Sequence, residues 1–463
     1  MAGVETPWLR DSIANAQAPR YLWGRAVSAR LTDLDHQTSF GGRLVDLAGR
    51  SILLATESQM TTALALIELD GIARRLVILP PDAEAEHVGA VITAADIDAA
   101  VIDDGTSANA ALDLSVRVLC APSIAPMTES LPSRVRTEWV LMTSGTTGVP
   151  KMVMHDLAGL TAAIQARSPA DGAHVWGTFY DIRRYGGLQI FLRAVLGGAS
   201  LVLSSAGEPI ADHLARLAKH GVTHLSGTPS QWRRALMSPV IRNIAPRYVR
   251  LSGEIADQAI LDSLRNAFPQ AAVGHAYAST EAGVGFDVND GLAGFPTEYV
   301  GLIRNGVEMR VLDGSLCIRS CGTATAYVGI EQALADTEGF VDTGDIVERR
   351  GDRYYFAGRK GGIINVGGLK VHPEEIEAVI NRHPQVRMSL VRPKRNPITG
   401  SIVVADVVLK SEQQGAAARQ IEVRDDIFRL CREVLPRHKV PAAISFVPTL
   451  KVAATGKLLR RQG

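Results

Sequence analysis

A segment rich in glycine and hydroxyl residues, with a single lysine, is the first part of this sequence whose composition suggests chemistry. It reads Thr143, Ser144, Gly145, Thr146, Thr147, Gly148, Val149, Pro150 and Lys151. Glycines that take positive φ let backbone N–H groups face an anion, while hydroxyls add donors and a lysine adds positive charge. The expected ligand of this segment is therefore a phosphate group.

This phosphate segment differs from the nucleotide loop G-x-x-x-x-G-K-[ST], because Met152 stands where a magnesium-binding hydroxyl would follow Lys151. Pro150 lacks an N–H and pushes the preceding residue towards extended backbone, which disfavours the helix that such a loop requires. The flanking runs TEWVLMTS and KMVMH both read as strands. We therefore predict a loop between two strands, with the metal ligand supplied elsewhere.

Four further segments carry polar residues suited to nucleotide chemistry. They read LSGE around Gly253, HAYASTEAG around Glu281, the single stretch from VDTGD to FAGRK with Asp345 and Arg359, and TGKLLRR around Lys457. Because Mg²⁺ prefers carboxylate and phosphate oxygens, Glu281 is a candidate for the missing ligand. A carboxylate such as Asp345 accepts hydrogen bonds from two neighbouring hydroxyls. Considered singly, these segments also fit polar loops, surface ion pairs or a solvated tail.

Taken together and in this order, the five segments resemble the adenylate-forming superfamily, which includes acyl-CoA synthetases. The resemblance runs from about Trp139 to Arg461, with Ala278 in place of the usual glycine. It implies that ATP and AMP are bound by Thr143, Ser144, Gly145, Thr146, Thr147, Gly148, Lys151, Gly253, Glu254, Ala276, Tyr277, Thr280, Asp345, Arg359 and Lys457.

The resemblance assigns catalytic roles to three residues. Thr280 would contact the α-phosphate, Glu281 would hold Mg²⁺, and Lys457 would reach both the acid's carboxylate and the α-phosphate. Lys451 is the weaker candidate for this last role, because the Gly-Lys pair is the element shared with the superfamily.

The nucleotide contacts follow in the same way. Tyr277 would lie beside the adenine, and both Asp345 and Arg359 would contact the ribose, whereas Asp342 is interpreted as structural. The implied first half-reaction is attack of a carboxylate on the α-phosphorus of ATP, giving an acyl-adenylate and pyrophosphate. Charge neutralisation and positioning are the expected sources of rate, and an acid ionised at pH 7 needs no general base.

The second half-reaction is attack by a thiol, which the superfamily performs after the small domain rotates about a hinge. The hinge position falls at Gly361, where relatives usually carry Asp or Lys; Gly361-Gly362 keeps the backbone free to rotate but removes a side-chain contact. Gly367 and Gly368 match the segment that lines the pantetheine tunnel, so CoA is the expected thiol. A carrier-protein phosphopantetheine is the alternative acceptor, and a non-catalytic adenylate-binding protein is the alternative of another class.

The acid pocket departs from many relatives, which carry an aromatic-His pair where this chain reads TFYDIRRYGGLQIF. The predicted pocket residues are Tyr180, Arg184, Tyr185, Gly186, Gly187, Ser252 and Tyr277. Arg183 and Arg184 either form a solvated turn, pair with Asp181, or steer a carboxylate or phosphate. Gly186 and Gly187 are expected to leave room for a ring or chain. Because the chain is short for the superfamily before the phosphate segment, an aromatic or short-to-medium acid is expected.

Secondary-structure patterns predict how these segments are positioned. Short apolar runs such as SILLATES and RLVILPP alternate with helical patterns such as MTTALALIELDGIA, which indicates a parallel α/β sheet. After Gly291 two hairpins are predicted, turning at Asp313-Gly314 and at Arg350-Gly351-Asp352. Later runs predict a helix that begins near Pro373, a strand pair around an Asn-Pro turn, and a helix from Arg424.

We therefore predict an α/β fold with two domains. Residues 1–357 form a large adenylating domain of stacked mixed and parallel sheets with helices. Residues 362–463 form a small, mobile α+β domain, and the hinge lies at about 358–362.

Bulk composition limits the classes of function. The 463 residues are 46% hydrophobic and 21% charged, with a net charge of +1, so neither nucleic acid nor an anionic membrane is an expected partner. Four cysteines without a metal-binding spacing predict reduced thiols in a cytoplasmic protein. We expect a monomer or homodimer that uses ATP, Mg²⁺, CoA and a small carboxylic acid.

Overall fold

The computed structural model describes residues 8–14, 19–106, 113–143, 150–164, 174–366, 368–396, 400–410, 417–453 and 456–459. Within them the α-helices are α1 (Leu9–Ala14), α2 (Gln59–Leu69), α3 (Ala85–Ala94), α4 (Leu157–Thr161), α5 (Tyr185–Leu196), α6 (Ile210–Lys219), α7 (Pro229–Ala235), α8 (Gln258–Ala267), α9 (Pro373–Ile380) and α10 (Ala417–Val434). The β-strands are β1 (Tyr21–Trp23), β2 (Ser28–Arg30), β3 (Gln37–Thr38), β4 (Ser51–Leu54), β5 (Arg75–Ile78), β6 (Ala99–Ile102), β7 (Val116–Leu119), β8 (Ala125–Pro126), β9 (Glu138–Met142), β10 (Met152–His155), β11 (Val175–Thr178), β12 (Ser200–Val202), β13 (His224–Gly227), β14 (Tyr248–Ser252), β15 (Ala272–Ser279), β16 (Gly283–Val288), β17 (Phe295–Pro296), β18 (Ile303–Arg304), β19 (Val307–Leu312), β20 (Ser315–Ser320), β21 (Ala326–Val328), β22 (Val341–Arg350), β23 (Arg353–Arg359), β24 (Ile364–Val366), β25 (Leu369–Val371), β26 (Val386–Asn396), β27 (Gly400–Leu409) and β28 (Ala443–Phe446).

The first large sheet has the strand order β21-β10-β9-β5-β4-β6-β7. The run from β9 to β7 is parallel, and β4 and β5 are the predicted runs SILL and RLVI. Their continuous apolar sequence suits strands covered on both faces. The strand β10 pairs antiparallel with β9, and the phosphate segment lies between them. The prediction that strands flank this segment on both sides is therefore confirmed, while residues 144–149 themselves lie outside the described residues.

The second large sheet has the order β16-β15-β14-β13-β11-β12-β1-β2 and is parallel between its two antiparallel edge strands. Helices α2 and α5 pack between the two sheets, and every residue of α2 is buried. Burial on every face fits this central position, where the one buried carboxylate of the helix, Glu68, is paired with Arg10 at 2.9 Å. The LSGE and HAYASTEAG segments follow the adjacent strands β14 and β15, whose carboxyl ends lie at one edge of the sheet, where ligands of α/β folds bind.

The third sheet is antiparallel, with the order β17-β23-β22-β20-β19-β18. The turn between β19 and β20 is Asp313-Gly314, with φ of 50° and 78°, so this predicted two-residue hairpin is confirmed. The predicted second turn was one residue too long. Arg350 pairs with Arg353 in the ladder, which leaves only Gly351 and Asp352 to turn the chain.

The small domain contains the pair β24-β25 and the sheet β26-β27-β28. Helices α9 and α10 pack with these strands around one core formed by Ile364, Val371, Ile376, Ile380, Val407, Ile427 and Cys431, among others. The helix α9 begins at Pro373 with two glutamates in its first turn, as predicted. In contrast, α10 begins at Ala417, seven residues before the predicted start at Arg424. Its first turns were missed because the buried apolar residues at helical spacing, Val423, Ile427 and Cys431, begin only at Val423.

The predicted fold class, a large α/β domain with a smaller C-terminal domain, is confirmed. The hinge at about 358–362 stays a prediction; it coincides with the end of β23 at Arg359 and a 3-10 turn at Lys360–Gly362. No helix in the described ranges has the length and apolar character needed to span a bilayer.

Candidate active site

A cavity of about 2450 Å³ lies where the second sheet, the third sheet and the small domain meet. The described residues predicted for the site all line it, with the exception of Gly368; they are Thr143, Lys151, Tyr180, Arg184, Tyr185, Gly186, Gly187, Ser252, Gly253, Glu254, Ala276, Tyr277, Thr280, Glu281, Asp345, Arg359, Gly361 and Lys457. Residues Ser144, Gly145, Thr146, Thr147, Gly148 and Gly367 lie outside the described residues. Sequence segments separated by more than 300 residues therefore meet at one place.

The ends of the phosphate segment are tied together by the ladder of β9 and β10. The Thr143 N–H donates to the Lys151 carbonyl at 2.9 Å. The Lys151 ammonium donates to the Gln332 amide oxygen at 3.2 Å and lies 5.0 Å from the centroid of the Tyr327 ring. These partners are uncharged, and among the described side chains Lys151 forms no ion pair. Its positive charge is thus available to an anion in the cavity.

Tyr277, Asp345 and Arg359 form an interlocked group, which we call the Asp345 corner. The Tyr277 hydroxyl donates to one Asp345 oxygen at 2.6 Å, and Arg359 Nε donates to the other at 2.8 Å. The Tyr277 ring is stacked between Phe286 and Phe356, with centroid distances of 5.7 and 5.2 Å. Burial and the adjacent Asp345 carboxylate raise the pKa of Tyr277 well above its usual value, so its hydroxyl remains a donor.

Asp342 is separate from the Asp345 corner although it belongs to the same segment. Its carboxylate accepts from the Ser315 hydroxyl at 2.5 Å, from the Gly344 N–H at 2.9 Å and from the Lys360 ammonium at 2.8 Å. A carboxylate that already accepts from three donors braces the turn before Asp345, which supports its interpretation as structural.

Thr280 and Glu281 occupy the tight turn between β15 and β16. The Glu281 carbonyl accepts from the Ala324 N–H at 2.9 Å, which anchors the turn, while the side chain lines the cavity. Its carboxylate accepts no hydrogen bond and joins no ion pair within the described part of the chain. A carboxylate facing a cavity in this way suits Mg²⁺, whose remaining ligands would be phosphate and water oxygens.

The predicted acid pocket lies at the N-terminus of α5. The Tyr180 hydroxyl donates to the Ser252 carbonyl at 2.8 Å, and Tyr180 and Tyr185 are both buried. A Cβ on Gly186 would find only the Tyr180 ring, at 3.9 Å, so this glycine does leave space. The explanation given for Gly187 was wrong. A Cβ there would lie 2.1 Å from the Asp181 carbonyl oxygen, so Gly187 is required by the backbone packing.

The two arginines of this segment have different surroundings. Arg183 is buried and pairs with Asp181 at 2.6 Å, so the prediction of an Asp181 pair is confirmed for it, and it does not lie in a solvated turn. Arg184 pairs with Asp82 and lines the cavity, and its Nε has no hydrogen-bond partner among the described residues. Of the two, Arg184 is therefore the one placed to meet an anionic ligand.

Lys457 projects into the cavity from a short hairpin of the small domain; its side chain is reached by solvent from within the cavity, while protein atoms surround it closely enough to remove part of its hydration. The surrounding protein and the Arg359 cation lower the pKa of Lys457, whereas Glu254 and Asp345 oppose this shift. A cation so placed has a strong interaction with phosphate and carboxylate groups, since part of its hydration is already removed.

Glu254 was predicted to contact the nucleotide, but its carboxylate has protein partners. It accepts from the Ser230 N–H at 2.9 Å, from the Ser230 hydroxyl at 3.0 Å and from the Leu458 N–H at 2.9 Å. Sequence reasoning missed this contact between the two domains. The sequence carried a local signal only for the helix start that holds Glu254, because Thr228 and Gln231 have the spacing of a capping box at the start of α7.

Profiles of known protein families match most of the chain. The AMP-binding enzyme profile matches residues 56–328. The profile of the AMP-binding enzyme C-terminal domain matches residues 375–457, a segment that ends at the cavity lysine.

Individual relatives and a solved structure agree with these matches. The chain is 28% identical over 356 residues to 4-coumarate–CoA ligase 2 of Solanum tuberosum, which covers 69% of this chain and 63% of that protein. It therefore spans less than two thirds of that relative. It is 26% identical over 445 residues to 2-succinylbenzoate–CoA ligase of Salmonella typhimurium, covering 94% and 93%. The anthranilate CoA ligase AuaEII, in complex with anthranoyl-AMP, has the same fold, with a TM-score of 0.79 at 19% identity over 99% of this chain and 97% of that one.

Proposed function

Because this chain belongs to the AMP-binding enzyme family of the adenylate-forming superfamily, we propose that it is an AMP-forming acid–CoA ligase. The observation that carries the proposal is the meeting of Lys457 with the Asp345 corner and Glu281 in one cavity. In the sequence these residues lie far apart, and the small domain must dock to bring the lysine in. The arrangement is that required for attack of a carboxylate on a bound nucleotide.

In the first half-reaction the chain must hold three anionic groups together. We assign the ribose to Asp345 and Arg359, the adenine side to Tyr277 and Gly253, and the α-phosphate to Thr280. Asp345 retains unused lone pairs after accepting from Tyr277 and Arg359, so it can accept from ribose hydroxyls. Recognition of the ribose thus uses two groups that the third sheet already fixes.

Two lysines that line the cavity neutralise the reacting groups. Lys151, together with the phosphate segment, would face the β- and γ-phosphates, and Lys457 would bridge the α-phosphate and the acid's carboxylate. Bound Mg²⁺, held by Glu281, would supply further neutralisation of the phosphates. Fixed charges that meet charge developing in the transition state are the main expected source of rate.

The second half-reaction is assigned to CoA. Gly368 has a φ of +86° in the turn between β24 and β25, and no atom lies within 4 Å of a Cβ built on Gly361 or Gly362. Free space at Gly361, together with the conformational freedom of glycine, supports its role as the hinge. The CoA ligase names of the relatives support CoA as acceptor over a carrier protein.

An aromatic acid is the substrate class best supported. The named relatives act on coumarate, succinylbenzoate and anthranilate, all aromatic acids. In this chain Tyr180, Tyr185 and the open side of Gly186 form a wall against which a ring can pack. Arg184, at the cavity wall, is placed to guide the carboxylate.

An ATP–pyrophosphate exchange assay over benzoates, cinnamates and C4–C10 acids tests this proposal. Exchange that depends on one of these acids is expected, with aromatic acids giving the highest rates. Absence of exchange with every acid would support the alternative of a non-catalytic adenylate-binding protein. Activity with C16 or longer acids alone would contradict the assigned acid class.

The acceptor is tested separately with the acid found in that assay. Mass spectrometry of reactions containing either free CoA or a phosphopantetheinylated carrier protein is expected to show an acyl-CoA thioester. Acylation of the carrier protein without acyl-CoA would instead identify a stand-alone adenylation enzyme.

A further inference from the structure

The hairpin that carries Lys457 has internal hydrogen bonds that set where this residue lies. The Ala453 N–H donates to the Lys457 carbonyl at 2.7 Å, and the Leu459 N–H donates to the Lys451 carbonyl at 3.0 Å. An isolated bridge pairs Val452 with Leu458. The backbone at Lys457 is therefore part of a small preformed turn, and its position depends on how that turn docks.

The turn docks on the large domain through hydrogen bonds on both sides of Lys457. The Thr228 hydroxyl donates to the Gly456 carbonyl at 2.6 Å, and the Leu458 N–H donates to Glu254 Oε1 at 2.9 Å. Fixing both neighbours leaves the lysine backbone little freedom. A Cβ on Gly253 would lie 3.6 Å from Lys457 Cε, so the side chain runs along this segment into the cavity.

Glu254 is itself held firmly by the first turn of α7. Its Oε2 accepts from the Ser230 N–H and its Oε1 from the Ser230 hydroxyl, while Thr228 caps the same helix. The carboxylate therefore links the start of this helix to the Leu458 N–H. With three protein donors on its two oxygens, it is poorly suited to act as a metal ligand or a nucleotide acceptor.

We propose that Glu254 is a positioning residue for Lys457: by holding the Leu458 N–H, it keeps the lysine in the cavity for adenylate formation and lets it go when the small domain moves. The proposal rests on the proposed function, since it assigns the lysine to the first half-reaction. Thiol attack needs the other domain orientation, in which this contact is broken. Loss of Glu254 should then separate the two half-reactions.

The charged groups facing Lys457 provide a second, independent signature. Burial, Arg359 and Arg184 lower the pKa of Lys457, while Glu254 and Asp345 raise it. Removing the Glu254 charge removes one of the two effects that raise the pKa of Lys457, while burial and the two arginines still lower it. The pKa of Lys457 should therefore fall further. The alkaline limb of adenylate formation should shift to lower pH, an effect that a general loss of stability would not cause.

The test compares Glu254→Ala and Glu254→Gln with the control Asp257→Asn. Asp257 also contacts the small domain, through Asn381 at 3.2 Å, but caps α8 and does not flank Lys457. Asparagine caps helices equally well, and because the substitution also removes the ion pair of Asp257 with Arg233, thermal melting must show that this control is folded. In Glu254→Ala, loss of a charge-assisted hydrogen bond should slow adenylate formation about 10- to 100-fold. Glutamine keeps one acceptor oxygen and should give a smaller loss.

Thiolysis of benzoyl-adenylate by CoA should be unchanged in all three variants, within about twofold, because it does not use this contact. Equal losses in both half-reactions, or an unshifted alkaline limb in Glu254→Gln, would overturn the proposal.

Amide hydrogen exchange of residues 451–459 tests the contact without any substrate. The Leu458 N–H should exchange at least about 10-fold faster in Glu254→Ala than in wild type or Asp257→Asn. Unchanged protection would overturn the proposal. Faster exchange combined with no pyrophosphate exchange in wild type would instead confirm the contact and contradict the proposed function, so the two failures are distinguishable.

Discussion

The Asp345 corner and the Lys457 hairpin show two ways of placing a charged group in the same cavity. Asp345 and Arg359 are register partners on adjacent strands, and Tyr277 lies on a strand of the neighbouring sheet. Their geometry is set by strand ladders and aromatic packing. Lys457 lies on a short turn that reaches the large domain through Thr228 and Glu254.

This difference separates site residues that the large domain holds by itself from Lys457, whose place depends on the docking of the small domain. Asp345 and Tyr277 should keep their positions whichever way the small domain faces, because strands β22 and β15 hold them within the large domain, whereas Arg359 lies at the predicted hinge. In the proposed domain rotation, the lysine is present only while the small domain is docked. Nucleotide binding should therefore be insensitive to changes in the hairpin, whereas adenylate formation should depend on it strongly.

Lys457→Ala is the sharpest way to break this comparison. Removal of a cation that meets charge developing in the transition state should slow pyrophosphate release by about 10²–10³-fold. The KM for ATP should change little, and thiolysis of a supplied acyl-adenylate should persist. Lys451→Ala, in the same hairpin but outside the cavity, is the matched control. Normal pyrophosphate release in Lys457→Ala would contradict the assignment of this lysine.

Asp345→Ala tests the role of the Asp345 corner in nucleotide binding. Loss of a carboxylate that accepts charge-assisted hydrogen bonds should raise the KM for ATP about 10- to 100-fold, with kcat much less affected. Glu348→Ala removes a half-exposed carboxylate from the same strand and should leave the KM unchanged. A large fall in kcat at unchanged KM would instead show that Asp345 contributes to the chemical step and not to nucleotide binding.

The sequence predicted the features that depend on local signals and missed the contacts between residues that are far apart in the chain. Strands, hairpin turns and the start of α9 were predicted because their signals are local: apolar runs, Asp-Gly at a two-residue turn, and proline before glutamates. The site segments were found because each carries its own chemical residues.

The contacts that sequence reasoning missed join residues far apart in the chain. Glu254 and Leu458 are 204 residues apart, and Arg184 and Asp82 are 102 apart. A glutamate after a glycine and an arginine before an aromatic residue carry no local sign of such partners. The role of Gly187 was misread for a related reason, since only the folded backbone shows how near the Asp181 carbonyl lies.

His155 gives a pH-dependent test of the part of the large domain that packs against Tyr185 in the predicted acid pocket. It ends β10, is 1% exposed and packs 5.8 Å from the Tyr185 ring, and burial lowers its pKa to about 4. Because its folded pKa lies below the unfolded value of about 6.5, stability is lost as pH falls from about 6.5 to about 4. About 2 kcal/mol of the free energy of unfolding should disappear between pH 7 and pH 4.5.

Thermal melting of His155→Asn at these two pH values measures this loss. The difference in melting temperature between pH 7 and pH 4.5 should be smaller in His155→Asn than in wild type. His36→Asn, at an exposed position, should keep the wild-type difference. An equal difference in all three proteins would show that His155 does not control the acid sensitivity of this part of the large domain.

Tyr277→Phe should have the smallest effect, and it sharpens the comparison within the Asp345 corner itself. The substitution removes the 2.6 Å hydrogen bond to Asp345 but keeps the ring between Phe286 and Phe356. Because Arg359 still holds the other carboxylate oxygen, the KM for ATP should rise only about 2- to 10-fold. A rise as large as that of Asp345→Ala would mean that the phenol alone orients the carboxylate, and that the strand ladder does not suffice to preform this corner.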